Sequence, residues 1–595
     1  MQTRFDRFRK NKLGILFFSF LALILASCAA SCAAKAPRSE GVSPGPRYAI
    51  HADPATRAIT EASGANWVAS TQGRAATDAV ARIFADGGNI IDAAIAASFV
   101  IGVERPQSTG IGGGGFMLYR EAKTGKIYAI DFRERAPAKA RENIFLDSKG
   151  EVIPEKSLLG IHAAGVPGLV KGLSEIHRRF GHAKWKTLVK PAIDLAEGGV
   201  PVYPYLANAL FEEKEDLAKF PATKAIFLKA DGKPYIEGEK IVQSDLASTL
   251  RKIAAVGGEA FYRGKIAKSI VETTAGWISE NDLRKYRVRW LAPVRSTFGN
   301  YEIVSMPPPS SGGTHLIQML NLLEKEPLEK LGFQSPAGLH LIASAMQRVY
   351  VDRARYMGDS DWVKVPLKTL TSKAYADKLR ATIDPDRATE AEALGNAMTV
   401  LPEHSETTHF SIMDKEGNVV VSTQTINGWF GSKVIPAGTG FLLNNEMDDF
   451  SPKPGASNLF GAIGSKANSV QPGKTPLSSM SPTIVLENGK PRLALGAPGG
   501  TRIITCVAQT ILNVLVYHLS LYDSVNALRI HQQWKPDILS IEAPGFGPST
   551  EADLSSRGWK LEKKSAECAV MAVAREGDIL RGVSEPRDHG KAFAR

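Results

Sequence analysis

The residues best equipped for chemistry lie in one short block, Thr407-Thr408-His409-Phe410-Ser411-Ile412-Met413, followed by the turn signal Asp414-Lys415-Glu416-Gly417-Asn418 and then by Val419 to Thr425. This pattern predicts a hairpin. If Met413 pairs with Val419 across the turn, Thr425 falls opposite Thr407, and the two-residue period of a strand puts Asn427 on the same face as Thr425. Three polar groups then converge. A threonine hydroxyl becomes a useful nucleophile only when a nearby base takes its proton. From the hairpin alone the plainer reading weighs more, because β-branched threonine suits strands whatever its chemistry.

Other groups share this ambiguity. Gly499 and Gly500, in APGGTR, can bring two backbone N–H groups close to a developing negative charge because neither carries a side chain, yet a lone Gly-Gly pair is ordinarily a turn. Arg133 ends the strand-like stretch KIYAIDFRE, residues 126–134. Alternation there places Ile127, Ala129, Asp131 and Arg133 on one side and Tyr128, Ile130 and Phe132 on the other. By itself such an arginine reads as a surface ion pair. Gly110 to Gly115 matches G-x-G-x-x-G, but a helical run precedes it and a strand-like FMLYRE follows, the reverse of the dinucleotide-binding order. Residues 41–45, GVSPG, match a hydrolase serine elbow with no strand before them, a coincidence. There is no H-E-x-x-H and no cysteine-histidine cluster of ligand spacing, so no metal and no cofactor is expected.

The elements that must position these groups mix helix and strand. Residues 89–103, NIIDAAIAASFVIGV, are apolar nearly all round and predict a buried helix. Long helical patterns cover 167–198 and 335–357, flanking loops such as PPPSSGG. Residues 384–406 are polar, without an apolar period, and are expected to be mobile, as a segment must be if it is to be cut and swing away. In 595 residues with 44% hydrophobic content and no repeats, this is an α and β chain in layers, with the number of domains open. The formal charge is +12, but residues 1–27 are basic, and without them about +8 remains, well mixed in sign; no nucleic-acid partner is expected.

Arg4, Arg7, Arg9, Lys10 and Lys12 precede the apolar run Leu13 to Ala26, too short for a typical membrane span and read as a signal peptide over 1–27. Leu25-Ala26-Ser27-Cys28 resembles a bacterial lipobox, which would leave Cys28 as the lipidated first residue; ordinary cleavage before Lys35 is the alternative. The expected location is exported, periplasmic or at the cell surface, held to a membrane by that lipid. A flexible tether over 28–50 follows. Only Cys506 and Cys568 lie in the body, where a disulfide is permitted but not implied.

The motifs GGNIIDAAIAASFV, PQSTGIGGGGFMLY, DFRERAP, GVPGLVKGL, PPPSSGG, TTHFSIMDKEGNVV, NNEMDDFS, PLSSMSPTIV, GAPGGTRIIT and SEPRDHGKA, in this order, resemble the γ-glutamyltranspeptidase family of N-terminal-nucleophile hydrolases. The resemblance spans nearly the whole chain after the leader. It implies an α+β fold, a four-layer αββα sandwich cut between Glu406 and Thr407 into a large subunit, 51–406, and a small one, 407–595, that stay together. Cleavage would be activation, since the freed α-amino group of Thr407, with an ordinary pKa near 8, can serve as base for its own hydroxyl.

By the same resemblance Thr425 orients Thr407, Gly499 and Gly500 hold the oxyanion, and Arg133 with Ser478 and Ser479 binds the α-carboxylate of a γ-glutamyl group. Asp449, with Asn427 and Glu446, takes its α-ammonium. Residues 453–465 match a lid loop in which Phe460 replaces a common tyrosine, leaving any hydroxyl contact from lid to Asn427 in doubt, and Trp429 stands where members vary. The expected substrates are glutathione and other γ-glutamyl amides, with water, amino acids or peptides as acceptors. A glutaryl-cephalosporin acylase and a poly-γ-glutamate transpeptidase are alternatives on the same scaffold, and a catalytically silent surface lipoprotein is a third.

Overall fold

The computed structural model describes residues 53–395 and 406–595, all within one compact unit. The signal peptide over 1–27, Cys28, the tether over 28–50 and the serine-elbow match at 41–45 lie outside the described residues. Two seven-stranded sheets form the centre. One runs Lys591–Ala594, Trp67–Thr71, Thr408–Asp414, Val419–Thr425, Gly114–Arg120, Ile127–Asp131 and Arg289–Leu291, every pair antiparallel. The other runs Glu61–Gly64, Ile579–Ser584, Met571–Glu576, Lys490–Gly496, Thr483–Glu487, Tyr301–Ser305 and Val294–Phe298, also antiparallel throughout.

Strand periodicity explains the layers. In the first sheet Val68, Phe116, Leu118, Ile127, Ala129, Val419 and Val421 join a core shared with the second sheet, while their neighbours Ala69, Met117, Tyr119, Ile130, Phe132, Phe410, Ile412 and Val420 join a core under a helical layer. Side chains pointing alternately up and down thus bury both faces, and each sheet must be covered twice. The helices Arg74–Ala85, Ile90–Glu104, Leu169–Phe180, Trp185–Gly198 and Ser244–Val256 cover the first sheet. The helices Gly312–Leu323, Pro336–Tyr356 and Arg502–Leu515 cover the second. The result is the expected αββα stack.

Individual elements follow their sequences with two corrections. The alanine-rich helix runs Ile90–Glu104, started by an Asn89–Asp92 capping box and buried on every side. The pattern over 167–198 is two helices, not one; the chain turns at Gly181, and the amides of His182 and Ala183 bond to Asp92, 3.0 Å each. Residues 384–395, expected to be mobile, are held in place. Asp384 and Thr389 carbonyls accept from His340 and Gln347, 2.8 Å each, and Ala391 accepts from Trp534 Nε1 at 2.9 Å at the start of a short helix, Ala391–Leu394. A polar stretch without period can still be fixed when buried side chains from other elements take its carbonyls. Residues 396–405 of that stretch lie outside the described residues.

Cys506 and Cys568 form a disulfide across 62 residues of chain. No helix among the described residues is long and apolar enough to cross a membrane. Both sheets interleave strands from before and after position 406, so two pieces made by a cut there would share every core. Such a protein will elute as one species in native buffer and separate only in denaturant. Because both cysteines lie after position 406, a non-reducing denaturing gel will still resolve two bands; a single band that splits into two on reduction would contradict this pairing.

Candidate active site

Thr407 stands at the start of Thr408–Asp414, the third of seven strands, braced on both sides. The hairpin register is the expected one, Met413 opposite Val419 and Thr408 opposite Gln424, which carries Thr407 to Thr425. Thr425 Oγ1 accepts the backbone N–H of Asn427 at 2.8 Å, and Asn427, in the left-handed region at φ 74°, sends its amide to Asn445 O at 3.1 Å. The Thr407 hydroxyl donates to the carbonyl of Glu406. A hydroxyl therefore lies against the peptide group that precedes it. The buried Glu406 side chain accepts from Ser108 Oγ at 2.9 Å and from the Tyr205 hydroxyl, and burial pushes its carboxyl up to about 8.

Two places further along, His409 shares bonds with Thr423 Oγ1 at 2.8 Å and Ser411 Oγ at 3.1 Å. Burial lowers it to about 3, so it is neutral and structural.

The same cavity carries a dense charge cluster. Arg133, just past its strand, places Nη1 2.5 Å from Glu446 Oε1, donates Nη2 to the Asp449 carboxylate and donates Nε to Pro476 O at 3.1 Å. Glu446 and Asp449 reach it together because Glu446–Asp449 is a single 3₁₀ turn, in which residues three apart share a side. Glu134 is fully buried behind them. Burial and the Glu446 charge hold the Glu134 carboxyl well above the usual carboxylate range, and burial pushes Glu446 and Asp449 upward as well, against the pull of Arg133. Three carboxyls around one guanidinium do not all ionise at neutral pH.

Ser478 Oγ accepts from Met480 N at 3.1 Å and Ser479 Oγ accepts from Arg353 Nη2 at 2.9 Å, leaving both hydroxyl protons for a further acceptor. Gly499 and Gly500 have φ of 134° and 53°, conformations side chains resist. A Cβ on Gly499 would sit 2.8 Å from Cys568 Cβ, and one on Gly500 2.5 Å from the Phe460 ring. One residue, Thr501, separates the pair from the helix Arg502–Leu515, whose N-terminal dipole favours negative charge there. In the 453–465 loop, Asn458 Nδ2 donates to Asp449 Oδ1 at 2.8 Å and the Phe460 ring lies beside Gly500. The space is about 20 Å³, room for little more than a water.

Thr407, Thr425, Asn427, Arg133, Glu446, Asp449, Ser478, Ser479, Phe460 and Gly500 all line this one cavity, and Gly499 adjoins it. A second cavity of about 280 Å³ opens on the other side of Thr407, walled by Glu406, Tyr205, Trp429 and Pro498. Sequence reasoning missed Arg353, Asn458 and Glu134. Only Glu134 carried a signal, as a second charge beside Arg133 at a strand end. The glycine run at 110–115 holds no phosphate cradle: a Cβ on Gly113 would lie 2.0 Å from the Thr425 carbonyl, so the run serves close approach of its strand to Val419–Thr425. Among the described residues Glu390, Glu392 and Asp537 bring carboxylates together, but Lys535 pairs with Glu392 and the amide of Ala391 donates to Asp537 at 3.1 Å, and none lines either cavity.

A profile of the Gamma-glutamyltranspeptidase family matches residues 76–595. The glutathione hydrolase proenzyme of Pseudomonas sp. strain A14 is 43% identical over 484 residues, 80% of this chain and 84% of its own length. The glutathione hydrolase proenzyme of Escherichia coli K12 is 42% identical over 518 residues, 86% and 89%. Among solved structures, a cephalosporin acylase from Bacillus halodurans superposes with a TM-score of 0.79 at 25% identity, covering 94% of this chain and 99% of its own.

The carboxyl cluster has a consequence for pH. A carboxyl whose folded pKa lies above its unfolded value makes its full contribution to stability below the unfolded value and loses it as pH rises through the folded one. Glu446, raised to about 8 from 4.5, therefore weakens the fold as pH climbs. Glu446→Gln will flatten the fall in thermal midpoint between about pH 5 and pH 8 relative to the parent protein; an unchanged slope would contradict the assignment.

Proposed function

The chain belongs to the γ-glutamyltranspeptidase family, and on that premise we propose that it matures by cutting itself at Glu406–Thr407 and then hydrolyses or transfers the γ-glutamyl group of glutathione and related amides. The observation carrying this reading is the Thr407 hydroxyl seated on the Glu406 carbonyl at the mouth of a cavity lined with Arg133, two acids and two serines.

In maturation the Thr407 oxygen adds to the Glu406 carbonyl carbon. The C–N bond breaks, the hydroxyl proton passes to the departing nitrogen, and water hydrolyses the resulting ester. The freed amine is then the base. In turnover it takes the hydroxyl proton as the oxygen attacks the γ-amide carbonyl, and it returns that proton to the leaving amine. The N–H groups of Gly499 and Gly500 face the developing oxyanion, a role worth about 10²–10³ in rate per donor in comparable sites. Water or an amine next attacks the γ-glutamyl ester, and the Thr407 hydroxyl is restored.

Recognition follows from charge. A γ-glutamyl group is zwitterionic at its α-carbon. Its carboxylate takes Arg133 and the free hydroxyl protons of Ser478 and Ser479, which releases Glu446 and Asp449 to the ammonium beside Asn427. The acylase reading is favoured by the similarity to the Bacillus halodurans structure. The buried acids weigh against it, because a glutaryl group brings no ammonium and would leave them unpaired.

Export and lipidation at Cys28 belong to the same proposal, supported by the basic, apolar leader and its Leu25-Ala26-Ser27-Cys28 end. The mass of the mature large subunit will carry the lipid increment at Cys28 and lose it in Cys28→Ala.

Thr407→Ala will leave one uncut, inactive polypeptide; a two-band gel from this variant would refute the nucleophile. On matched anilides the γ-glutamyl substrate will exceed the glutaryl one in kcat/KM by ~10²-fold or more, since a site built around polar partners rejects analogues lacking them. Comparable rates would favour the acylase.

A further inference from the structure

The side chain of Glu406 plays no part in the bond-breaking just described, yet it is among the most carefully held groups near the site. One carboxyl oxygen takes the Ser108 hydroxyl at 2.9 Å and the other takes the Tyr205 hydroxyl. Both donors are fixed from behind. The Ser108 carbonyl accepts the backbone N–H of Ile426 at 3.2 Å, and the neighbouring Gln107 carbonyl accepts Phe430 N at 2.9 Å, so the loop that holds Glu406 also holds the segment following Thr425. The Tyr205 ring stands 5.2 Å from the buried Arg105 guanidinium, which is tied by Nη1 to Asp588 Oδ1 and Gln72 O, 3.2 Å each. The Trp429 ring meets that of Tyr205 nearly at right angles, 6.1 Å between centroids.

A peptide carbonyl can rotate about its flanking bonds, and attack by the next residue's hydroxyl needs one orientation of it. Anchoring the residue's own side chain at two points removes that freedom. We propose that Ser108 and Tyr205 are positioning residues for chain scission, clamping the Glu406 carboxyl so that the Glu406 carbonyl carbon stays within reach of the Thr407 oxygen. Burial that raises the carboxyl does not weaken this clamp, because the neutral acid still bonds both hydroxyls. The inference rests on the reading of Thr407 as the scission nucleophile. It adds that residue 406 is read by its side chain, and that glutamate there is fitted to Ser108 and Tyr205.

The experiment follows disappearance of the full-length chain after a labelling pulse. Glu406→Ala and Ser108→Ala/Tyr205→Phe will each slow cutting by ~10-fold or more, as small misplacements of reacting groups do, whereas Glu406→Gln, which keeps partners for both hydroxyls, will cut near the parent rate. The triple variant Glu406→Ala/Ser108→Ala/Tyr205→Phe will cut no slower than Glu406→Ala alone, which a merely structural role for the two hydroxyls would not produce. Parent-like cutting by Ser108→Ala/Tyr205→Phe, or a full further slowing in the triple variant, overturns the proposal. If the variants lacking both hydroxyls yield no soluble protein, the Glu406 pair decides: Gln fast and Ala slow supports the clamp, equal rates overturn it. A Thr407→Ala arm separates the two claims. If that variant is cut, the nucleophile reading itself fails; if it stays whole while Ser108→Ala/Tyr205→Phe cuts like the parent, only the clamp is lost.

Discussion

One peptide bond governs this molecule. It lies at the entrance to a central strand, with the following residue's hydroxyl resting on its carbonyl. The base that hydroxyl needs is locked inside the same bond as an amide nitrogen, which has no useful basicity. The protein must therefore fold first and break afterwards, and the fold has to survive the break. Interleaving strands from both sides of the cut in each sheet meets that demand, since neither piece can leave without stripping strands from both cores. The disulfide adds local restraint where Gly499 packs against Cys568, next to the helix that carries Cys506.

The cavity beside Thr407 obeys a second constraint, the expense of burying charge. Arg133 among Glu134, Glu446 and Asp449 is an unbalanced cluster that burial forces toward partial protonation. On the proposed reading, a zwitterionic substrate would correct it from both ends, supplying an anion for the arginine and a cation for the acids. In the 453–465 loop, Asn458 sets an amide on Asp449 and Phe460 sets a ring beside Gly500, so one segment covers both ends of the cavity. Electrostatic contacts strengthen as water leaves.

Periodic and local features were legible before the structure. The hairpin register followed from a turn signal and a two-residue period, and the faces of 127–132 from alternation, because these depend only on neighbours in sequence. The site residues from Arg133 to Gly500 were legible by resemblance, not by pattern; as isolated letters each had a plainer reading. What stayed hidden depends on distant parts of the chain meeting. Arg353 looks like one more charge in a long helix until Ser479, 126 residues later, reaches it. The break at Gly181 is set by Asp92 from another helix, and residues 384–395 are fixed by His340, Gln347 and Trp534. The clamp on Glu406 draws on residues 108 and 205, a juxtaposition no local pattern encodes.

Liberation of an amino group inside a finished fold is the central claim, and the intact mass and N-terminal sequence of the smaller subunit in purified, active protein test it most directly. A chain beginning at Thr407 and running to Arg595, with an unblocked amine, is the predicted result. Full activity from an unbroken polypeptide, or from a piece that begins at any other residue, would contradict it.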